Sequence, residues 1–324
     1  MSDKKTFSST FINDKKGSLR LMFYNIYGYM WYPDKENSPH LSSGPVSLRQ
    51  EMERDLIAEY APDIVGMQEY CKTYHTGMTP LLTDIGYTEV DVAHTRTHSD
   101  GIKINYTPLF YRADRVKLLD KGFVMYPETM PDPSKDDGSV LNINDVSSKS
   151  LTWGVFEEIA TGKKFIAVCT HFMYSAAWLT PQQREDVRTQ NASQLVEVVK
   201  ELRSRDEYKG LPVIMGGDLN TYIGAEAMKT LKNGGMEWLY EIAPVKDDSR
   251  GLKSYATYDK NIGEYVTFPE PIDDPNTAID YIWLTRGECG YDADVKAYIT
   301  VTDRKALLSS DHCPRFTDIT FIEK

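Results

Sequence analysis

Near the C-terminal end stands Ser309-Ser310-Asp311-His312-Cys313-Pro314, a carboxylate and an imidazole side by side after the apolar pair Leu307-Leu308. An Asp–His pair can hold a divalent cation or place a base beside a metal-bound water. Upstream, single polar residues close otherwise apolar runs: Asn25 after Leu19–Tyr24, Glu69 after Ile64–Met67, His171 after Phe165–Thr170, Asp218 and Asn220 around Pro212–Gly217, and Asp280 near the start of Ala278–Leu284. Singly, each is an ordinary residue, since a strand-end His or Glu usually serves packing or solvation. Their recurrence carries the signal. Hydrolysing a phosphoester needs a cation to offset charge, a base for water, donors for the phosphoryl oxygens and stabilisation of the leaving oxygen. Carboxylate and amide oxygens suit Mg²⁺ or Mn²⁺, whereas zinc draws more His and Cys.

The elements that would position these residues follow from the hydrophobic pattern. Leu19–Ile26 is apolar on both parities, the mark of a strand buried on both faces. Met52, Leu56, Ile57 and Tyr60 predict a helix over Val46–Tyr60, stopped by Pro62. Asp63–Glu69 is a short strand with its carboxylate at the C-terminal end, where α/β folds put ligands. A helix is expected over Thr79–Ile85 and a strand over Tyr87–Val92. Pro108–Arg112 and Val116–Leu119 read as paired strands turning at Ala113-Asp114. His94–Asn105 reads as a solvated loop, Pro127–Ser150 as a long surface loop, and Ala243–Asn276 as irregular. Leu151–Ile159 and Lys163–His171 form a hairpin turning at Thr161-Gly162. A helical stripe runs from Pro181, in the first turn where its missing N–H costs nothing, to Asp206. Pro212–Gly217 is a buried strand whose two glycines permit close backbone approach. A short helix covers Glu226–Lys232, Ala278–Leu284 is a strand, and Arg315–Ile322 is the last.

Composition bounds the class. The chain has 324 residues, 41% hydrophobic and 26% charged, which is a globular balance. A net charge of -11 argues against a broad basic surface for nucleic acid, although not against a local groove or a recruited cation. The 4 cysteines, Cys71, Cys169, Cys289 and Cys313, lack CxxC or zinc-ribbon spacing and read as free, mostly buried thiols. No apolar run approaches the ~20 residues of a membrane span. Met1-Ser2-Asp3-Lys4-Lys5 has no signal-peptide core, so a cytoplasmic protein is expected, or a secreted one if a leader has been trimmed. The expected organisation is a polar lead-in over 1–18 and a single domain over 19–324, a monomer with no protein partner implied.

The motifs "YNIYG" (Asn25), "DIVGMQE" (Glu69), "CTHF" (His171), "GGDLN" (Asp218, Asn220), "IDYIWL" (Asp280) and "SSDHCP" (Asp311, His312) together resemble the signatures of the endonuclease/exonuclease/phosphatase superfamily, the DNase I-like fold. "LFYRADRV" and Thr267-Phe268 are similar to weaker stretches; the first implies Arg112 as a phosphate contact, although Tyr-Arg at a strand end equally suits a structural role. The resemblance spans about residues 19–316. It implies an α/β four-layer sandwich, two packed mixed β-sheets flanked by helices, with the site at one edge. It implies a Mg²⁺- or Mn²⁺-dependent hydrolase, most simply a phosphodiesterase acting on nucleic acid or a small phosphodiester. A phosphomonoesterase or a sphingomyelin-type phosphodiesterase of the same fold is the alternative. Glu69 would be the principal metal ligand, with Asn25 and Asp311 nearby. Asp280 would orient His312 and raise its proton affinity. Asp218 and Asn220 would position water and a phosphate oxygen, and His171 would bind phosphate or protonate the leaving oxygen. Whether Asp218 or the His312–Asp280 pair takes the water proton stays open. One departure stands out: nuclease-type members orient the first catalytic His with a carboxylate, and no counterpart is visible for His171.

Two rivals remain. "GGDLN" is also similar to one block of the dinuclear metallophosphatases, but their early Asp-x-His and late Gly-Asn-His are absent. A non-catalytic binding member would be expected to have lost some of these side chains, and all are present.

Overall fold

The computed structural model describes residues 17–28, 46–92, 104–127, 129–132, 135–142, 149–246, 257–259, 264–266 and 278–324. Tyr29, Trp31 and Tyr32, the His94–Lys103 stretch and Thr267-Phe268 lie outside them. In the first half of the chain the elements are β1 (Ser18–Asn25), α1 (Val46–Tyr60), β2 (Ile64–Gln68), α2 (Lys72–Asp84), β3 (Tyr87–Glu89), β4 (Leu109–Arg112), β5 (Val116–Met125), β6 (Thr129–Pro131), β7 (Val140–Asn142), β8 (Ser150–Glu158) and β9 (Lys164–His171). There follow α3 (Pro181–Ser204), β10 (Val213–Asp218), α4 (Glu226–Asn233), β11 (Met236–Trp238), α5 (Leu239–Ile242), β12 (Val245–Lys246), β13 (Thr257–Asp259) and β14 (Glu264–Val266). The chain closes with β15 (Asp280–Thr285), β16 (Tyr291–Thr300), α6 (Arg304–Ser309) and β17 (Arg315–Glu323).

Two mixed sheets pack face to face. A 7-stranded sheet has the order β12-β16-β17-β1-β2-β4-β3, and a 6-stranded sheet the order β11-β15-β10-β9-β8-β5. The core between them joins Leu19, Leu21, Phe23 and Ile64 of the first to Phe165, Ala167, Ile214, Ile282 and Leu284 of the second. Strands buried on both faces explain the continuous apolar runs. Met22, Tyr24, Val65 and Met67 face outward against α1 and α2 through Leu56, Ile57, Tyr74 and Met78. Val168, Val213 and Met215 meet α3 and α4 through Leu195, Val199 and Leu231. The result is the four-layer sandwich expected. Phe23 fills the space between the sheets where Gly216 has no side chain: a Cβ there would stand 2.3 Å from its ring.

Local sequence fixes the helix that braces the second sheet. Thr180 accepts from the Gln183 N–H at 3.2 Å while Gln183 accepts from the Thr180 N–H at 2.9 Å, a reciprocal cap with Pro181 in the first turn. At the end of the first sheet away from the candidate site residues, Arg20 binds Asp318 through two contacts of 2.7 and 2.8 Å and reaches the Tyr60 carbonyl at 2.8 Å. That buried fork ties β1 to β17 and to the end of α1.

Three expectations need correction. The strands β4 and β5 are not paired: β4 lies between β2 and β3, whereas β5 pairs with β8 in the other sheet. The turn after Arg112, closed by Arg115 N–H to Arg112 O at 3.0 Å, carries the chain from one sheet to the other, which short adjacent apolar runs do not reveal. Helix α2 begins at Lys72, earlier than Thr79; Tyr74, Met78 and Leu82 form its buried stripe, and Pro80 is accommodated inside it. The 127–150 stretch is not only loop, since β6 and β7 form a small hairpin within it.

Candidate active site

Topology alone gathers the candidate residues. β1 and β2 run parallel, so Asn25 and Gln68 are register partners and Glu69 is the next residue. β9 and β10 also run parallel, with His171 opposite Asp218, and β15 is antiparallel to β10, with Asp280 opposite Asp218. His171, Asp218 and Asp280 therefore form one row across the edge of the second sheet. β17 is antiparallel to β1, with Arg315 opposite Phe23, so the segment carrying Asp311 and His312 enters at the same edge.

The backbone here takes conformations that ordinary strands avoid. Glu69 (φ 62) and Asn220 (φ 51) are left-handed, the kind of strain that collects at functional sites. Gly217 adopts φ 151, and a Cβ on it would lie 1.9 Å from the Thr170 carbonyl oxygen. Only glycine allows β10 this close to β9 immediately before Asp218.

Asp218 is the hub. Its Oδ2 accepts from Asn25 Nδ2 at 3.0 Å and lies 3.5 Å from His171 Nε2 and 3.8 Å from His312 Nε2. Its Oδ1 accepts from the Asn220 N–H at 2.8 Å. The Asn220 amide in turn donates to the Phe172 carbonyl at 3.1 Å. His312 Nδ1 is held by both oxygens of Asp280, at 2.9 and 3.1 Å, which leaves Nε2 facing Asp218 and, at 3.8 Å, Asp311. Asn25 Nδ2 also stands 3.4 Å from Glu69 Oε1. Ser310 Oγ donates to the Asn25 carbonyl at 2.6 Å and accepts from the His312 N–H at 3.1 Å, fastening the two loops together. Beneath them Arg49 donates to the Ser309 carbonyl at 2.7 Å and to the Ile26 carbonyl at 2.6 Å.

These contacts set the charges. Burial disfavours charge on His312, but the carboxylates of Asp280, Asp311 and Asp218 outweigh it and hold the imidazole well above its ordinary range. Burial, with the Lys149 ammonium, pushes His171 the opposite way. Asp218 is buried too, yet the contacts with His171, His312 and Lys149 keep its carboxyl well below the usual range. An anionic carboxylate thus stands between a cationic imidazole and a neutral one. Groups driven apart in this way are suited to acid and base duties in one reaction.

The donor set fits a hard cation. Asp311 Oδ1 is buried with no hydrogen-bond partner among the described residues. Burial pushes the Asp311 carboxyl up to about 6, and Glu69 adds to the rise. A divalent ion beside Glu69 and Asp311 would relieve both the empty lone pairs and the like-charge repulsion; Asn25, whose Nδ2 faces Glu69 while Oδ1 accepts from the Tyr27 N–H at 3.0 Å, would add an amide oxygen on turning its side-chain amide over. Asp218, Asp280 and His312 also offer ligand atoms within 4.8 Å of one another. However, His312 Nδ1 is already committed to Asp280, so that trio is better suited to moving protons than to binding metal.

Asn25, Glu69, His171, Asp218, Asn220, Asp280, Asp311 and His312 come together; Arg112 does not. It ends β4, its N–H donates to the Asp63 carbonyl, and its guanidinium pairs with Asp114 at 2.8 Å. Asp63 precedes β2 and Glu69 follows it, so Arg112 lies roughly 20 Å from Glu69 at ~3.3 Å per residue. A cation that does reach His171 is Lys149, which falls in the 127–150 stretch expected to be a surface loop. It is buried, with Nζ 2.6 Å from His171 Nε2. The position of Lys149 directly before the strand Ser150–Glu158, antiparallel to the His171 strand, was the available signal.

The sequence model of the Endonuclease/Exonuclease/phosphatase family matches residues 22–312, and the chain belongs to that family, whose members hydrolyse phosphoester bonds. Among curated proteins it is 25% identical over 300 residues to the CCR4-Not complex 3'-5'-exoribonuclease subunit Ccr4 of Debaryomyces hansenii, covering 85% of this chain and 34% of that protein. The chain thus spans about a third of the length of that relative. A solved endonuclease/exonuclease/phosphatase from Bacteroides vulgatus superposes with a TM-score of 0.66 at 24% identity, covering 94% of this chain and 99% of that one. The mannosyl-6-phosphatase of Bacteroides thetaiotaomicron VPI-5482 gives 0.62 at 20% identity, with 94% and 99% covered. Both likenesses speak to the fold. No helix among the described residues is long and apolar enough to cross a membrane.

Proposed function

We propose that the chain is a divalent-metal-dependent phosphodiesterase that cleaves its substrate by in-line attack of water. The observation that carries this reading is Asp218 flanked by His171 and by the Asp280-held His312, across from Asn25, Glu69 and Asp311. Glu69, Asp311 and Asn25 would hold Mg²⁺ or Mn²⁺, which when bound offsets charge on a phosphoryl oxygen. Asp218, ionised and oriented by Asn25 and Asn220, receives the proton of the attacking water. His312, cationic and steered by Asp280, donates from Nε2 to a phosphoryl oxygen as charge builds there. His171 lies on the far side of Asp218, toward the leaving oxygen. The similarity to Ccr4 exoribonucleases supports a diester, while the net charge of -11 disfavours a long, tight nucleic-acid interface. The test is a panel of an RNA oligonucleotide, plasmid DNA, sphingomyelin, bis-p-nitrophenyl phosphate and a hexose 6-phosphate, each with Mg²⁺ or Mn²⁺. The reading expects turnover of at least one diester in preference to the monoester; a monoester preferred over every diester overturns it.

A further inference from the structure

The leaving oxygen needs a proton, and the obvious donor is wrongly charged to give one. Lys149 Nζ sits 2.6 Å from His171 Nε2. Nζ also stands 3.2 Å from His171 Nδ1; a lysine ammonium has N–H donors and no acceptor, so the ring nitrogen that receives it offers a lone pair, which favours a neutral His171. The one carboxylate at His171 among the described residues is Asp218, 3.5 Å from Nε2, and Lys149 lies closer to the same nitrogen.

We propose that Lys149 is the general acid of the reaction, with His171 serving as the positioning residue that aims its ammonium at the departing oxygen. The inference rests on the phosphodiesterase reading above. Several observations support it. Lys149 is 3% exposed, which is rare for lysine unless it is held by partners. Its backbone is fixed by the Tyr126 N–H donating to its carbonyl at 3.1 Å, at the very start of β8. Its Nζ lies 5.3 Å from the centre of the Tyr174 ring, whose π face steadies the charge. Its partner His171 faces Asp218, on the side opposite His312. In the step itself a bond forms between the water oxygen and phosphorus, and the water proton passes to Asp218. The bond from phosphorus to the leaving oxygen breaks, and its electron pair stays on that oxygen. The oxygen takes a proton from Lys149 Nζ, leaving a neutral amine. Exchange with solvent returns one proton to Lys149 and removes one from Asp218.

The test is a leaving-group series, methyl aryl phosphates running from p-nitrophenyl to phenyl, hydrolysed in Mg²⁺ by the wild type, Lys149→Met and Lys149→Arg. A p-nitrophenolate leaves without help, whereas phenolate needs a proton. Both variants should stay within about tenfold of wild type on the p-nitrophenyl ester, which also shows that they are folded. On the phenyl ester they should fall roughly 10²- to 10³-fold, the range of general acid catalysis. Arginine keeps the charge but does not give up its proton, so Lys149→Arg separates proton donation from charge stabilisation. Equal losses across the series, or rescue of the phenyl ester by arginine, overturn the assignment while leaving the phosphodiesterase reading intact. No loss on any ester overturns it as well. A wild type inert on the whole series overturns the phosphodiesterase reading and the inference with it.

Discussion

Glu53 sits in the clamp that holds the two site loops, and its ionisation should make stability fall as pH rises. Its carboxyl is fully buried on α1, with Arg49 3.8 Å away and the Tyr74 hydroxyl donating to Oε1 at 3.2 Å. Oε2 has no partner among the described residues. Burial, only partly offset by Arg49 and Tyr74, raises the group from 4.5 to about 8. In this window the folded chain keeps a proton that the unfolded chain has lost. Stability is therefore full below about 4.5, declines as pH rises toward 8, and levels off above it. Between pH 5 and 8 the linkage amounts to on the order of 3 kcal/mol at ~1.4 kcal/mol per pH unit. Glu53→Gln mimics the protonated form at every pH. Its offset from wild type at pH 5 includes whatever the unpaired amide N–H costs, so the change with pH is the quantity to read. Thermal unfolding followed by circular dichroism should show Glu53→Gln gaining roughly 5 °C on wild type between pH 5 and 8. Parallel curves for the two proteins would refute the reasoning.

Two further outcomes follow from geometry. Arg112→Ala should leave kcat/KM for any diester substrate within about twofold, because the residue stands at the opposite end of β2 from Glu69 and is part-exposed; a tenfold loss would return it to the substrate site. Gly217→Ala drives a Cβ against the Thr170 backbone, which cannot rotate away, so denaturant unfolding should show a loss of about 1–3 kcal/mol together with reduced turnover.

Much of the site was legible because apolar strands interrupted by one polar residue are conspicuous. Asn25, His171, Asp218 and Asp280 each end or begin such a run, and parallel or antiparallel pairing then decides which of them meet. Sheet membership was not legible. β4 and β5 are separated by a tight turn that suits a hairpin equally well, whereas β5 pairs along β8 and sets Val116, Leu118 and Phe123 against the core between the sheets. The phosphate role of Arg112 rested on the likeness of "LFYRADRV" alone, and the antiparallel β2–β4 pairing sets Arg112 beside the start of β2, the end away from Glu69. Lys149 was hidden for a different reason. A charged residue in a run of Ser, Asp and Asn reads as solvated, and its burial depends on His171, which is 22 positions away in the chain. The sequence analysis assigned no strand to β16 although Ala293, Val295, Ala297 and Ile299 alternate with Asp294, Lys296 and Tyr298; the irregular register between Val295 and Ala297 turns Ala297 and Ile299 to the face of the sheet opposite Ala293 and Val295.

The central claim is that Asp218, set between an imidazole held toward its cationic form and one held toward its neutral form, activates water for metal-assisted cleavage of a phosphodiester. The most direct measurement is hydrolysis of bis-p-nitrophenyl phosphate in Mg²⁺ by wild type, Asp218→Ala and His312→Ala, repeated with EDTA. The account predicts turnover by wild type, its abolition by EDTA, and a fall in kcat of at least about 10³ in each folded variant. Near-wild-type turnover in either variant, or turnover indifferent to EDTA, would contradict it.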